Sequence, residues 1–343
     1  MASSIPFRRF PHLVAVEILK SMEAMQILNL CQASRNTKAL VRSIIKTNEY
    51  EMKIGPNLTF SYIAFGNLQV SDESRFTIVE QAHPTNDQFR TNKSKVYHRN
   101  GQFTINEPKV YILYEGDSNI ETYLSPDQGL MDVISMLIEV LDIKIASFDY
   151  ESSHSSGDQM LRVMEYAENC GLIFRSMRMH GQFFIPPVFQ YFLDNCDEQA
   201  EMTLQFYVPH AFKFKNSYKL KSLKIEKSGM VTYLALSSFL SCSEVKLEKN
   251  KMSTDEIRAF LRAWMAKNDS RMKRLEIDQN DGTNYFNLNR MFNGLDAEMV
   301  TGEVVDNGEI LQVPPNQAYR IRRQDGVGAT IVYNDRKLTM LVD

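Results

Sequence analysis

The sequence predicts an α+β chain: a small helical N-terminus, then a mixed α/β repeat-like region with antiparallel strands at its ends. Three observations carry this prediction. Apolar residues recur at helical spacing through residues 10–42. Short β-prone runs separated by turn residues fill residues 58–115. From about Asp127 a helical stripe and a short strand core follow one another several times. These changes of texture divide the 343 residues into three expected segments, 1–48, 56–126 and 127–343.

Pro11 suits the first turn of a helix, where its missing N–H would be unpaired anyway. Val14, Ile18, Leu19 and Met22 follow at helical spacing. A second helix carries Ile27, Leu28, Leu30 and Cys31, and the rhythm continues into Ala39, Leu40, Ile44 and Ile45. A hairpin of roughly 35 residues has a marginal core by itself and wants a partner surface. The same stripe would also suit the ordinary core of a helical N-terminus. Lys46 to Gly55 is polar and closes on the breaker Gly55-Pro56, which sets the first expected boundary.

The β-prone runs are Phe60 to Phe65, Phe76 to Val79, Lys95 to His98 and Val110 to Tyr114. They read as an antiparallel meander, with Asn100-Gly101 as its best hairpin signal. Leu130, Val133, Ile134, Leu137, Val140 and Leu141 then lie on one helical face, followed by a strand at Ile143-Lys144-Ile145. Met160, Val163, Met164 and Ala167 form the next stripe, before Leu172-Ile173-Phe174. Phe189, Phe192, Leu193 and Cys196 precede the strand Leu204 to Val208. Leu223 to Ile225, a helix with Leu236, Phe239 and Leu240, and Val245 to Leu247 continue the series. Ser253-Thr254-Asp255-Glu256 is a capping box, and Ile257, Phe260, Leu261, Trp264 and Met265 mark the apolar face behind it. Leu275-Glu276-Ile277 is the strand after that. The strand cores recur at irregular intervals of roughly 17 to 32 residues, so each unit must bury its apolar face against the next. Leu-x-Leu-like cores make the region leucine-rich-repeat-like, although no asparagine ladder is visible; an ordinary α/β sheet is the alternative. Asp325-Gly326 and Asn334-Asp335 are turn signals between three terminal strands, Tyr319 to Arg323, Ala329 to Tyr333 and Leu338 to Val342.

Composition is ordinary for a folded chain, with 43% hydrophobic and 24% charged residues, and the net charge of -3 gives no global attraction to nucleic acid. Four cysteines, Cys31, Cys170, Cys196 and Cys242, are far apart, which points to reduced, buried thiols rather than a zinc site or a redox pair. Glu17, Lys20 and Glu23 interrupt any N-terminal signal core, and no apolar run is long enough to span a membrane, so an intracellular protein is expected. No catalytic, cofactor or metal constellation emerges. His154 stands in a serine-rich polar run that reads as a solvated loop, because a triad is assembled from distant segments. Cys170 and His180 carry no informative spacing, and Gly326-Val327-Gly328 reads as a turn. Lysines alternate with aromatics from Phe212 to Lys221, and the basic stretch from Lys213 to Lys227 has two readings: a nucleic-acid contact, or a solvated face beside buried aromatics. Trp264 is either an interface anchor or, given its stripe, a core residue.

The N-terminal pattern of a proline, an aliphatic helix, a short acidic turn and a second helix ending in Ala33-Ser34-Arg35 resembles the F-box. Pro11, Val14, Ile18, Leu19, Met22, Ile27, Leu28 and Ser34 carry that resemblance. The Trp264 helix with Leu275-Glu276-Ile277, and the Arg-x-Asp-Gly-x-x-Ala-Thr-Ile run from Arg323 to Ile331, resemble the F-box-associated region of the large nematode F-box family. The resemblance implies a non-enzymatic substrate adaptor of a Skp–cullin–F-box type ubiquitin ligase. Pro11, Val14, Ile18, Leu19, Met22, Ile27 and Leu28 would bind the Skp-type linker subunit and through it a cullin. The C-terminal region would hold an unidentified target, and no cofactor is implied. Two other classes stay open: a repeat-type interaction scaffold with no ligase role, and a nucleic-acid-binding protein using Lys213 to Lys227.

Overall fold

The computed structural model describes residues 11–22, 26–27, 30–31, 34–45, 50–55, 60–67, 73–81, 93–98, 103–104, 111–113, 126–152, 157–209, 212–214, 217–279, 285–306, 309–313 and 317–343. Its chain divides into two compact units, Met1–Arg175 and Ser176–Asp343. As expected, it is an α+β protein in which helices precede a mixed sheet.

The first unit opens with α1 (His12–Ser21) and α2 (Arg35–Ile44), followed by β1 (Tyr50–Gly55), β2 (Phe60–Asn67), β3 (Glu73–Gln81), β4 (Lys93–His98), β5 (Phe103–Thr104) and β6 (Tyr111–Leu113). It continues with α3 (Pro126–Leu141), β7 (Ile145–Ser152) and α4 (Gly157–Asn169). Pro11 is the N-cap of α1, one position before the first-turn place expected of it. Ser34 opens α2 rather than closing the preceding helix: its Oγ accepts from the Thr37 N–H at 3.1 Å. Leu130, Val133, Ile134, Leu137, Val140 and Leu141 of α3 are all buried, as are Met160, Val163, Met164 and Ala167 of α4, so both expected apolar faces form.

Within the stretch expected as a polar boundary, Tyr50–Gly55 form strand β1. It pairs antiparallel with β2 and parallel with β7. Glu51, Met52, Lys53 and Ile54 alternate polar with buried apolar residues, which is the pattern of a half-buried strand and not of a linker. Neighbours in this sheet run β7-β1-β2-β3-β4-β6-β5. β1 to β4 form the expected antiparallel meander. The hairpin expected at Asn100-Gly101 does not join neighbouring strands. β6 lies between β4 and β5, parallel to the first and antiparallel to the second; Asn100 and Gly101 themselves lie outside the described residues.

The second unit begins within β8 (Ile173–Gly181) and continues through α5 (Pro186–Asn195), β9 (Glu201–Tyr207), β10 (Ser222–Lys227), α6 (Tyr233–Ser237), β11 (Glu244–Leu247), α7 (Thr254–Ala266) and β12 (Arg274–Asp278). Next come α8 (Leu288–Phe292), β13 (Ala297–Met299), β14 (Gly302–Asp306), β15 (Glu309–Val313), β16 (Ala318–Arg322), β17 (Gly328–Asn334) and β18 (Lys337–Val342). β14 and β15 make a separate two-stranded sheet. The main sheet runs β13-β16-β17-β18-β12-β11-β10-β9-β8. Its β8 to β12 half is parallel and strictly in chain order. The other half is the expected antiparallel terminus. Helices of 10, 5 and 13 residues intervene after β8, β10 and β11; β9 and β10 are joined without one among the described residues. The strands are regular and the connections are not.

One apolar layer fills the sheet's inner side: Met177 and Met179, Met202, Leu204 and Phe206, Leu223 and Ile225, Val245 and Leu247, Leu275 and Ile277 are all buried. Ile257, Phe260, Leu261 and Trp264 of α7 and Val188, Phe189, Phe192 and Leu193 of α5 are buried too, as their spacing predicts. Buried polar side chains of mixed type, not an asparagine ladder, accompany the strands. Ser228, Asn250 and Gln279, all buried, follow β10, β11 and β12 in turn. Asn250 Nδ2 donates to Ser228 O at 3.0 Å and to its Oγ at 3.3 Å, while Asn250 Oδ1 accepts from the Met252 N–H at 2.8 Å. Ser228 Oγ donates to Glu248 O at 2.8 Å, and Gln279 Nε2 donates to Met252 O at 3.1 Å. Three different residue types thus satisfy the buried backbone of successive turns. Among the described residues no helix is long and apolar enough to cross a membrane.

Candidate functional site

The sequence-predicted contact residues split by exposure. Leu13 is 78% and Val14 41% exposed, and Pro11 is exposed, so the first turn of α1 turns apolar atoms to solvent. Ile18 and Met22 are half-buried. Leu19 and Ile27 are buried in the unit's own core, and Leu28 lies outside the described residues. Leu13, the most exposed of the group, was not singled out from sequence, because a stripe drawn at helical spacing does not say which edge of it remains uncovered.

In the second unit, alternation on β9 to β12 turns one row of polar side chains outward for each apolar row turned inward. Cross-strand register aligns them: Arg178 beside Thr203, Thr203 beside Lys224, Lys224 beside Lys246, Lys246 beside Glu276 and Glu276 beside Thr339. Ser222, Glu201, Glu244 and Arg274 form the adjacent row. Lys224 Nζ lies 2.9 Å from Glu226 and 3.3 Å from Glu248. Lys246 is 3.1 Å from Glu248, and Lys337 is 2.9 Å from Glu276, which Arg274 also meets. Gln205 Nε2 donates to Glu226 at 3.1 Å.

The hydrogen bond to Glu226 pushes the Lys224 ammonium above its ordinary value. Burial pushes the Glu226 and Glu276 carboxyls up. The hydrogen bonds of Lys224 and Gln205 to the first, and of Lys337 and Arg274 to the second, more than offset burial and hold both below the ordinary range. Such a face is a fixed pattern of opposite charges. Across an interface, charges fixed in this way give specificity by register more than raw affinity.

The remaining motifs resolve into structure. Phe212 and Phe214 are half-buried and meet Phe184, Phe189 and Phe239 edge-on, with centroids 4.8 to 5.2 Å apart. Lys213, Lys219 and Lys221 point outward. The alternating stretch is therefore a solvated face beside packed aromatics, and those two rings are not free to stack on bases. Trp264 is fully buried, so it anchors core and not an interface; the Arg323 guanidinium lies 5.3 Å from its ring centroid. All four cysteines are free; Cys31 and Cys242 are buried, whereas Cys170 and Cys196 are only half-buried. Burial pushes the Cys31 and Cys242 thiols up to about 11 and Cys196 up to about 12, which leaves them unreactive at neutral pH. His154 lies outside the described residues. Among the described residues no group of three or more His, Cys, Asp or Glu is placed to hold a metal ion.

A family model described as F-box associated matches residues 212–277, which run from the aromatic cluster through β10, β11 and α7 into β12. The chain is also similar to the Skn-1 dependent zygotic transcript 15 protein of Caenorhabditis elegans. The two are 22% identical over 347 residues, covering 96% of this chain and 95% of that protein. No solved structure matches the chain.

Proposed function

We propose that the chain is the substrate-recognition adaptor of a Skp–cullin–F-box type ubiquitin ligase, with residues 1–48 as the docking module and the second unit as the target-holding body. The observation that carries the reading is the F-box-associated match at 212–277, which coincides with β10 to β12 and their charged face. The solvent-facing Leu13 and Val14 of α1 support it from the other end of the chain. In this reading the protein is not an enzyme. Other subunits transfer ubiquitin, and the adaptor contributes proximity by raising the effective concentration of a bound target. It works in the cytoplasm or nucleus, and its partners are a Skp-type linker, a cullin and a target protein.

Val14 is the contact to test, because its exposure separates docking from folding. Val14→Arg places a charge where an apolar partner surface would sit, and desolvating that charge opposes association. The expected result is loss of co-purification with the Skp-type linker subunit while the circular dichroism and thermal midpoint stay as in the parent chain. Undiminished co-purification would reject the ligase role and leave a scaffold with the same sheet.

A further inference from the structure

We infer that the rim at the C-terminal ends of β9 to β12 binds an extended acidic segment of a target polypeptide. The inference deepens the adaptor reading by giving the target a chemistry. The rim carries cations in single file: Lys227 closes β10, Lys249 and Lys251 follow β11, and Arg336 precedes β18. Lys227 Nζ lies 5.8 Å from the ring centroid of Tyr207, which is 53% exposed. At the far end the Arg336 guanidinium lies 4.9 Å from the ring centroid of Tyr285 and donates to its hydroxyl at 2.7 Å; Tyr285 is 65% exposed. Among the described residues none of the four cations has a carboxylate within 4.0 Å.

The opposite ends of the same strands differ. There Lys219 and Arg271 meet Glu198 at 3.2 and 2.6 Å, and Lys221 meets Glu201 at 2.5 Å. Among the described residues, Lys219, Lys221 and Arg271 are thus paired at that rim, whereas Lys227, Lys249, Lys251 and Arg336 have no such carboxylate. Lys249 sharpens the contrast. Its backbone φ is +54°, a conformation disfavoured for any residue with a Cβ, yet the position holds an exposed lysine rather than glycine.

The rim is also pre-organised. Ser228 N donates to Glu248 O at 3.0 Å, Asn250 N to Asp278 O at 2.8 Å and Gln279 N to Arg336 O at 3.1 Å, so each turn is tied to the next. The buried side chains of Ser228, Asn250 and Gln279 reinforce those ties. A partner therefore orders little of the surface on binding. β9 to β18 spans four strand spacings of about 4.8 Å, or roughly 20 Å, the length of about six residues of extended chain. Glu226, Glu248 and Asp278 stand at the ends of the same strands. They penalise a polymer carrying one charge on every unit, and a peptide with spaced carboxylates avoids them.

The test uses the full chain and fluorescence anisotropy with a labelled peptide of about eight residues alternating glutamate and serine. Saturable binding that weakens with rising salt is expected. Lys249→Glu with Lys251→Glu should weaken it by about tenfold or more, while Lys219→Glu on the opposite rim leaves it unchanged. Absence of saturable binding, equal binding of the glutamine-for-glutamate peptide, or indifference to the double substitution would overturn the inference. Tighter binding of a single-stranded oligonucleotide would overturn it in favour of nucleic acid. The assay needs no linker subunit, so its failure is distinguishable from failure of the ligase reading.

Discussion

Asn250 uses both ends of its amide inside the second unit, donating to Ser228 and accepting from Met252. Removing it strands the buried Met252 N–H, while Ser228 O keeps the Val231 N–H at 2.9 Å. Asn250→Ala is expected to lower the unfolding free energy by about 1–3 kcal/mol, read from urea denaturation. A cost below about 0.5 kcal/mol would mean that water replaces the amide. Arg323 is the complementary case. It donates to Asp325 through Nε at 3.1 Å and Nη2 at 2.7 Å, reaches Ser270 O at 3.0 Å and covers the Trp264 ring, four contacts that only a planar fork makes together. Trp264 was legible from its stripe. Ser228, Asn250 and Gln279 were not, because three different residue types at unequal intervals share a role only once β10, β11 and β12 are adjacent.

Local elements were the most legible feature of the chain, and α7 shows why. The Ser253 N–H donates to Glu256 Oε2 at 2.8 Å and the Glu256 N–H to Ser253 Oγ at 3.3 Å, a reciprocal pair written within four residues. Ser253→Ala should cost about 1 kcal/mol, seen as a lower urea midpoint with an unchanged slope. An unchanged midpoint would show that packing of Ile257 to Trp264 fixes the helix start without the cap. The same locality explains the faces of α3 and α4, since burial repeats at the helical period. It also explains the turn between β17 and β18. There Asp335 at φ +46° and Arg336 at φ +66° take the left-handed pair that a tight hairpin needs, at the Asn334-Asp335 signal. β1 escaped because its charges made it look like a linker, and the Asn100-Gly101 signal misled because β6 took the place beside β4 that a hairpin strand would have filled.

At the scale of the whole molecule, the charged sheet face couples stability to acid. Glu226 and Glu276 titrate below their ordinary values in the folded state. Their contribution is fully present above the unfolded carboxylate value near about 4.3 and is lost as pH falls from there through the folded values. Thermal melting is therefore expected to be level near neutrality and to drop below about pH 4, with a smaller acid-dependent drop in Glu276→Gln. Equal drops in both proteins would place the acid sensitivity elsewhere. The sequence by itself determined the α+β class, the helical faces, the strand cores and the terminal antiparallel strands, because each follows from a short-range period or a turn that neighbouring residues impose. Only the tertiary structure decided which strands became neighbours. That choice depends on contacts between residues far apart in sequence, and it alone sets Lys224 against Glu248, turns Leu13 outward while Leu19 is buried, and lines up Lys227, Lys249, Lys251 and Arg336 with no carboxylate within 4.0 Å among the described residues.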